Sequence, residues 1–242
     1  TDNDPADLAV IWDAGGADTR ITTLANWNID ANPAFDGSIH FSFGDAGDSA
    51  CINTNVAFRG LTLRRDADFT HTAGGGVLTL GAGGIWASAQ NAELRTYTVA
   101  ANMILAASQS WFITNAGVAG AAVIVSGSVS DGGSAFGIAK SGDGLLELAG
   151  DNSYGGPTTV AAGGVVRVTH PHGLGVTNAA TVVASNAWVE VRGDIAVPEP
   201  LTLADASVSG ALRSTGGTNI WSGCITLTAS SRIRAATGSC PT

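Results

Sequence analysis

The sequence has little charge: only 13% of its 242 residues are Asp, Glu, Lys or Arg. A typical soluble domain has roughly 25%. Coiled coils and helical bundles need charged outer faces, and disordered chains combine high charge with low hydrophobicity. The low charge therefore excludes coiled coils and helical bundles. Because the chain is 45% hydrophobic, it is not a disordered chain. Its 33 glycines follow no triplet period, which excludes collagen. The composition favours one all-β domain rich in Gly, Ala, Thr and Val.

Positive charge is especially scarce. The chain has 11 Lys and Arg against 20 Asp and Glu, a net charge of −9, and Lys140 is its single lysine. Nucleic-acid binding requires basic patches that release counterions from phosphates. The closest basic cluster, Arg64 and Arg65, is followed at once by Asp66 and Asp68. We therefore expect no nucleic-acid partner.

Cysteine and long apolar runs are also rare. Cys224 and Cys240 are close enough for a loop-closing disulfide, and Cys51 is left over; three cysteines leave both the pairing and the compartment open. Residues 96–130 contain no charged side chain, but their longest apolar run, 116–125, is far shorter than the roughly 20 residues of a membrane helix. We predict stacked strands there and no membrane insertion.

Short runs of alternating apolar residues, separated by Gly, Asn and Asp, occur throughout the chain. Such alternation is typical of strands. In the last third the runs recur about every ten residues, a spacing that fits a sandwich, a barrel or a β-solenoid with three strands per turn. The clearest runs are Val77–Leu80, Leu145–Leu148, Val165–Val168, Trp188–Val191 and Ile225–Thr228.

An internal echo favours the solenoid. Residues 74–80 and 142–148 share the pattern Gly-x-Gly-x-Leu-x-Leu, in which glycines permit a sharp corner and alternate leucines point to one side. A turn of roughly 20–25 residues would divide the chain into about ten rungs. The side chains that we expect to point inward are Leu78, Leu80, Leu146, Leu148, Val166 and Val168.

Residues 137–168, which read GIAKSGDGLLELAGDNSYGGPTTVAAGGVVRV, resemble the autotransporter-associated β-strand repeat, also called the passenger-associated transport repeat. The resemblance includes Lys140, the Asn152-x-Tyr154 pair and the segment 156–160. The flanks are similar to the same proteins. Those flanking motifs are Trp12-Asp13, 25–27, 209–213, 219–223 and 231–233.

This resemblance implies a single-stranded right-handed parallel β-helix in a bacterial surface or secreted protein. It further implies one continuous domain over 1–242, with 1–30 as a cap region and 137–168 as the clearest repeat. The family continues into a membrane barrel or another anchor, and nothing after Ile225 resembles one. We therefore predict an extracellular or cell-surface structural segment.

Parallel β-helices also include polysaccharide-active enzymes, which need paired carboxylates. Asp66 and Asp68 share a strand face, but Arg64 and Arg65 beside them indicate a solvated turn. Asp143 and Glu147 would be about 13 Å apart on a straight strand, too far for either glycosidase geometry. Glu190 and Arg192 would form an outward ion pair. We predict no enzymatic activity and assign no catalytic or cofactor-binding residue.

Several residues offer weak metal-binding patterns, and the question of a metal stays open. The acidic residues of 2–7 and of 44–48 resemble calcium loops, although neither completes a known pattern. His170-Pro171-His172 contains two potential transition-metal ligands, but Pro171 and Gly173 favour a plain turn. His40 and His71 are isolated in the sequence. We expect no cofactor, with calcium at the acidic turns as a weak alternative.

The six tryptophans allow two interpretations: packing in the core or cap, which we favour, or exposed aromatic platforms for sugars. They are Trp12, Trp27, Trp86, Trp111, Trp188 and Trp221. Three functions result. The first is an extracellular structural segment of a passenger, stalk or fibre, which in one version associates end to end into a filament through its open rungs. The others are a glycan-binding adhesin that uses a Trp or Tyr154, and a polysaccharide-active enzyme.

Overall fold

A computed structural model of the chain describes residues 10–29, 33–43, 47, 49–65, 67–89, 95–114, 122–204 and 210–235. These residues contain strands and one short 3-10 helix, Leu24–Asn26, but no α-helix. The strands are β1 (Val10–Trp12), β2 (His40–Phe43), β3 (Ser49–Ile52), β4 (Val56–Arg65), β5 (Phe69–Ala73), β6 (Val77–Ala89), β7 (Thr96–Val99), β8 (Asn102–Leu105), β9 (Gln109–Thr114), β10 (Ala122–Val125), β11 (Val129–Ser130), β12 (Ile138–Ser141), β13 (Leu145–Leu148), β14 (Thr158–Val160), β15 (Val165–Val168), β16 (Thr181–Val183), β17 (Trp188–Arg192), β18 (Ala196–Val197), β19 (Leu201–Leu203), β20 (Leu212–Gly216), β21 (Ile220–Trp221), β22 (Ile225–Leu227) and β23 (Ile233–Ala235).

The strands stack in parallel as the chain coils. One sheet has the order β1-β2-β4-β6-β9-β12-β14-β16-β19-β22, with β8 and β11 attached to it through β6, and a second runs β23-β20-β17-β15-β13-β10-β7-β5-β3. A small third sheet pairs β18 with β21. Strand β10 pairs with β7 on one side and β13 on the other, so each passage of the chain lies on the previous one. This is a parallel β-solenoid, as the sequence predicts.

Seven of the nine strands in the second sheet are paired on both sides, so the solenoid has about seven turns that lie between two neighbours. The larger number of rungs expected from the sequence is not confirmed. The right-handed coil stays a prediction.

Inward side chains form one continuous core along the stack. Leu146, for example, is aligned with Val123 of the previous turn and Val166 of the next. Burial of such a side chain contributes about 1.5–3 kcal/mol. The residues expected to point inward are all fully buried, which confirms the alternation: Leu78, Leu80, Leu146, Leu148, Val166 and Val168.

The corners between sheets depend on glycine and asparagine. Gly142 has a φ of 77°, and a Cβ at this position would collide with the Ile113 carbonyl of the previous turn. Asn152 joins three turns: its Oδ1 accepts from the Val129 amide at 2.8 Å, and its Nδ2 donates to the Gly173 carbonyl at 2.7 Å. Gly142 therefore permits the close approach of two turns at one corner, and Asn152 connects the backbones of neighbouring turns at another.

The uncharged stretch 96–130 contains β7 to β11, apart from residues 115–121, which lie outside the described part. The expectation of stacked strands is confirmed for the rest. Among the described residues no helix is long and apolar enough to span a membrane. Cys51 is half-buried and Cys224 exposed, while Cys240, and with it the expected disulfide, lies outside the described residues.

Candidate functional site

The repeat-like segment begins with a buried lysine. Lys140 on β12 is fully buried, and its Nζ donates to the carbonyls of Gly142 at 2.7 Å and Ser141 at 2.8 Å. Burial lowers the pKa of Lys140 to about 8, although the nearby Asp143 carboxylate opposes this shift. The lysine satisfies carbonyls at the corner that leads into β13. It therefore has a structural role in the interior of the solenoid.

Tyr154 lies inside the solenoid and not on its surface. Its ring is fully buried, and its hydroxyl forms a 2.7 Å hydrogen bond with the hydroxyl of Thr158 on β14. Burial raises the pKa of the Tyr154 phenol. The idea that Tyr154 is an exposed sugar platform is wrong, because its ring fills the core between the corner and β14.

Asp131 fixes the loop that precedes β12. Its carboxylate accepts backbone amides of Gly133 at 2.8 Å, Phe136 at 3.0 Å and Gly155 at 2.9 Å. Burial acts to raise the pKa of Asp131, but these three donors favour the charged form and the pKa is lowered. The Gly155 contact crosses to the next turn, so Asp131 joins this loop to the repeat-like segment.

Charged side chains form a ladder on the outer face of the second sheet. Glu147, Arg167 and Glu190 are aligned on three successive strands. The Arg167 guanidinium lies 2.9 Å from the Glu190 carboxylate and 3.4 Å from that of Glu147. The expected pairing of Glu190 with Arg192 is wrong, because a strand neighbour at about 4.8 Å is closer than a residue two positions along the same strand.

The other carboxylates tested as catalytic pairs have separate partners. Asp68 accepts from the Thr96 amide at 2.8 Å, and Asp143 accepts from the Thr114 hydroxyl at 3.0 Å. Asp66 lies outside the described residues, as do all the acidic residues of 2–7 and of 44–48. The proposed calcium loops therefore stay predictions.

The structure brings Asp151 to the two histidines of the His-Pro-His segment. His172 Nδ1 is 2.8 Å and His170 Nδ1 3.9 Å from Asp151 Oδ1. One ligand atom from each of the three residues lies within 4.8 Å of the others. Sequence reasoning singled out the histidines but missed Asp151. Asp151 precedes His172 by 21 residues, which is about the length of one turn. This spacing is the sequence signal that would have placed Asp151 beside the histidines.

The remaining histidines have different environments. His40 forms a 2.7 Å hydrogen bond with the Thr62 hydroxyl of the next turn. His71 is fully buried between the rings of Phe43 and Phe69, with centroid distances of 4.3 and 5.0 Å. Neither ring nitrogen of His71 has a hydrogen-bond partner among the described residues. Burial lowers the pKa of His71 to about 3, so it is neutral at physiological pH.

The tryptophans divide into two groups. Trp12, Trp27 and Trp111 are buried, which confirms the core interpretation for these three. The half-buried group is Trp86, Trp188 and Trp221. Trp86 is aligned with the outward Phe112 of the next turn, at a ring distance of 6.1 Å, and Phe112 is 40% exposed.

Glu199 is a buried carboxyl that the sequence gave no reason to select. It is 3% exposed; Oε1 accepts from the Thr181 hydroxyl at 3.3 Å, and Oε2 has no partner among the described residues. Burial raises the pKa of Glu199 to about 7. The protonation of the Glu199 carboxyl in the folded chain therefore changes near neutral pH.

A comparison with protein-family models finds one match, the passenger-associated-transport-repeat, over residues 138–168. Among curated proteins and among solved structures no match is found. The repeat begins on β12 and ends on β15, which together span more than one turn of the solenoid. Its family is one of autotransporter passengers and suggests a secreted or surface location.

The geometry explains the main positions of the passenger repeat in physical terms. Lys140 satisfies the corner carbonyls, Asn152 joins neighbouring turns, and Tyr154 fills the core. Gly156 is also required, because a Cβ there would collide with the backbone of Phe136 in the previous turn. These roles are those of a unit that stacks on copies or relatives of itself. They support the interpretation of the repeat as a structural element.

Proposed function

We propose that the chain is an extracellular structural segment of a bacterial surface or secreted passenger protein, built as a right-handed parallel β-helix. The observation that carries this proposal is the passenger repeat at residues 138–168, which lies inside an uninterrupted parallel stack. Each turn adds about 4.8 Å of length. The segment would therefore serve to extend and display whatever is attached to it.

Surface labelling tests the location. An epitope tag inserted between Gly74 and Gly75 would sit at an exposed corner, where a Cβ on Gly75 has no neighbour within 4 Å. In cells that express the full-length gene, we expect antibody to label the tag on intact cells, and external protease to remove the label. A cytoplasmic marker serves as control. Label that appears only after permeabilisation contradicts the proposed location.

We further propose that the segment associates with a second copy through its last described turn. Ile225, Ile233 and Trp221 line an apolar hollow there together with Leu212, and Ile233 is 55% exposed. Among the described residues, β22 and β23 each have a strand partner on one side only, and an unpaired strand edge can pair with another chain. Continued pairing onto a second copy would satisfy both features and give head-to-tail growth.

Light scattering and negative-stain microscopy test this association. The net charge of −9 opposes it, so we expect larger assemblies at higher salt or with added calcium. Ile233→Asp should reduce assembly, whereas Ile104→Asp, at a 37%-exposed position on the side of the stack, should not. Wild-type protein that stays monomeric at high concentration and high salt overturns the association and leaves a single structural segment.

The proposal includes the absence of glycosidase, lyase and protease activity. It is supported by Glu147 and Glu190, two aligned carboxylates that are both engaged by Arg167. Carboxylates neutralised in this way are poor general bases. Release of reducing ends or unsaturated uronides from pectin, alginate or chitin by the purified protein contradicts this part of the proposal.

A second candidate function, glycan binding, is favoured by the outward pair Trp86 and Phe112. Aromatic faces in contact with solvent suit the apolar faces of sugars. In a binding assay with polysaccharides, Trp86→Ala and Phe112→Ala should then abolish retention, while Ile104→Ala should leave it intact. Equal retention of all variants contradicts binding at this pair.

A further inference from the structure

We infer that Asp151, His170 and His172 form a surface site for a divalent transition-metal ion, with Zn²⁺ as the best fit. Each residue places one potential ligand atom within 4.8 Å of the other two. Two imidazole nitrogens and one carboxylate oxygen are a ligand set typical of zinc. Calcium and magnesium prefer sites made of oxygen alone, so they fit this set poorly.

The backbone holds the two histidines in place. They lie in a tight turn after β15, where the Gly173 amide donates to the His170 carbonyl at 2.9 Å and the Gly175 amide to the His172 carbonyl at 3.0 Å. Pro171 between them restricts φ. A turn with these constraints presents both rings from one rigid loop, as metal binding requires.

Asp151 comes from the preceding turn of the solenoid. It follows β13, and its neighbour Asn152 donates from Nδ2 to the Gly173 carbonyl at 2.7 Å. This hydrogen bond ties the corner of Asp151 to the corner of the histidines. The site is therefore built by stacking of two turns and would be lost in the unfolded chain.

The present hydrogen bonds orient the ligands. His172 Nδ1 and Asp151 Oδ1 are 2.8 Å apart, and His170 Nδ1 accepts the His172 backbone amide at 3.2 Å. The Nδ1 lone pair of His170 is therefore engaged by this amide, and an ion would bind His170 either in place of that hydrogen bond or through Nε2. An ion between Asp151 and His172 would replace the proton that they share.

An open groove adjoins the site and would supply a further ligand. Asp151 and His172 form part of its wall, together with Ser153, Thr177 and Pro198. Three protein ligands leave one position of a tetrahedral zinc site open. A water molecule from the groove would complete the coordination.

Titration calorimetry with ZnCl₂ on the untagged full chain tests the site. We expect one ion per chain, and affinity at least about tenfold weaker in His172→Gln and in Asp151→Asn. His40→Gln is the matched control, because His40 is hydrogen-bonded to Thr62 in a different part of the stack. CaCl₂ should not compete. Circular dichroism without metal verifies that each variant is folded.

Thermal unfolding gives a second measurement. Because the site needs two stacked turns, zinc should bind only the folded chain and raise the wild-type Tm, but not that of His172→Gln. The inference is overturned if wild-type protein binds no zinc, or if His172→Gln and Asp151→Asn bind it as tightly as wild type does. It is also overturned if His40→Gln is the variant that loses binding.

Discussion

The two ends of the described solenoid differ in how their core is covered. At the first end Trp12, Trp27, Phe41 and Phe43 are at most 1% exposed, and Trp27 contacts each of the other three rings at 5.2–5.8 Å. At the last described turn, by contrast, apolar side chains of β22 and β23 such as Ile233 face solvent. Among the described residues, a layer of buried aromatic rings therefore lies over the core at the first of these two turns, and no comparable layer lies over it at the last.

The cover at the first end depends on a local loop as well as on aromatic rings. Trp27 Nε1 donates to the Ile21 carbonyl at 2.9 Å, and Asn26 Nδ2 donates to the carbonyls of Asp18 and Arg20. The loop before β2 is therefore fixed by one buried and two partly buried hydrogen bonds, and it carries Trp27 into the core. The difference between the ends lies in side chains that close the interior and in an antiparallel bridge between Trp12 and Trp27, whereas β1 and β2 pair in parallel as the other strands do.

The largest expected effect comes from removal of the central ring of this cover. Trp27→Ala should lower the free energy of unfolding by about 4 kcal/mol, because a fully buried indole leaves a cavity. Trp221→Ala, at a half-buried position near the other end, is the matched control and should cost clearly less. Urea unfolding followed by circular dichroism measures both. Equal losses would mean that the two ends are sealed equally well.

Two buried titratable groups, His71 in the first half of the chain and Glu199 in the second, change the stability of the protein with pH in opposite directions. His71 has a pKa of about 3 when folded, below its ordinary 6.5, so the unfolded chain binds more protons between these values. The stability that depends on neutral His71 is fully present above pH 6.5 and is lost as pH falls toward 3.

His71→Phe removes this acid sensitivity. The stability advantage of the variant over wild type should grow by about 3 kcal/mol between pH 7 and pH 4. Denaturant unfolding at several pH values measures the difference, with His40→Gln as a control for an ordinary partly buried histidine. An advantage that is constant with pH would contradict a buried neutral imidazole at position 71.

Glu199 in the other half produces the reverse dependence. Its pKa of about 7 when folded exceeds the ordinary 4.5, so the folded chain binds more protons in this range. Stability is fully present below pH 4.5 and is lost as pH rises through 7. Relative to wild type, Glu199→Gln should therefore gain about 2–3 kcal/mol between pH 5 and pH 8. The same denaturant series measures it, and a gain on acidification instead would contradict the assignment.

The sequence predicts the repeated features of this molecule better than its contacts between turns. The alternation of apolar residues alone predicts that Leu146 and Val166 point inward, and the passenger repeat is recognisable in the sequence of residues 138–168. The partner of Glu190, however, is Arg167, 23 residues earlier, and the partner of the histidine pair is Asp151. Such pairs depend on the length of each turn, which varies with its corners and is not fixed by local patterning.

The ladder of Glu147, Arg167 and Glu190 tests how much surface ion pairs stabilise the middle of the stack, away from both ends. Arg167→Met keeps most of the apolar stem but removes both ion pairs, and should cost about 1 kcal/mol since the side chains are only partly exposed. Arg192→Met, at an exposed position on the adjacent strand, is the control. The loss for Arg167→Met should shrink in high salt; a loss that is independent of salt would indicate packing rather than charge.

The smallest expected effect is at the last described turn. Leu227 is 56% exposed on β22, so Leu227→Thr removes little buried area and should change the free energy of unfolding by less than about 0.5 kcal/mol in dilute, monomeric protein. Leu203, its aligned neighbour one turn earlier, is fully buried. Leu203→Thr should therefore destabilise by about 2–4 kcal/mol, because it loses apolar contacts and buries a hydroxyl. Urea unfolding of both variants at low protein concentration compares two positions that differ by a single turn. A similar cost at both would show that the last turn is already covered in the monomer, and would remove the difference between the two ends.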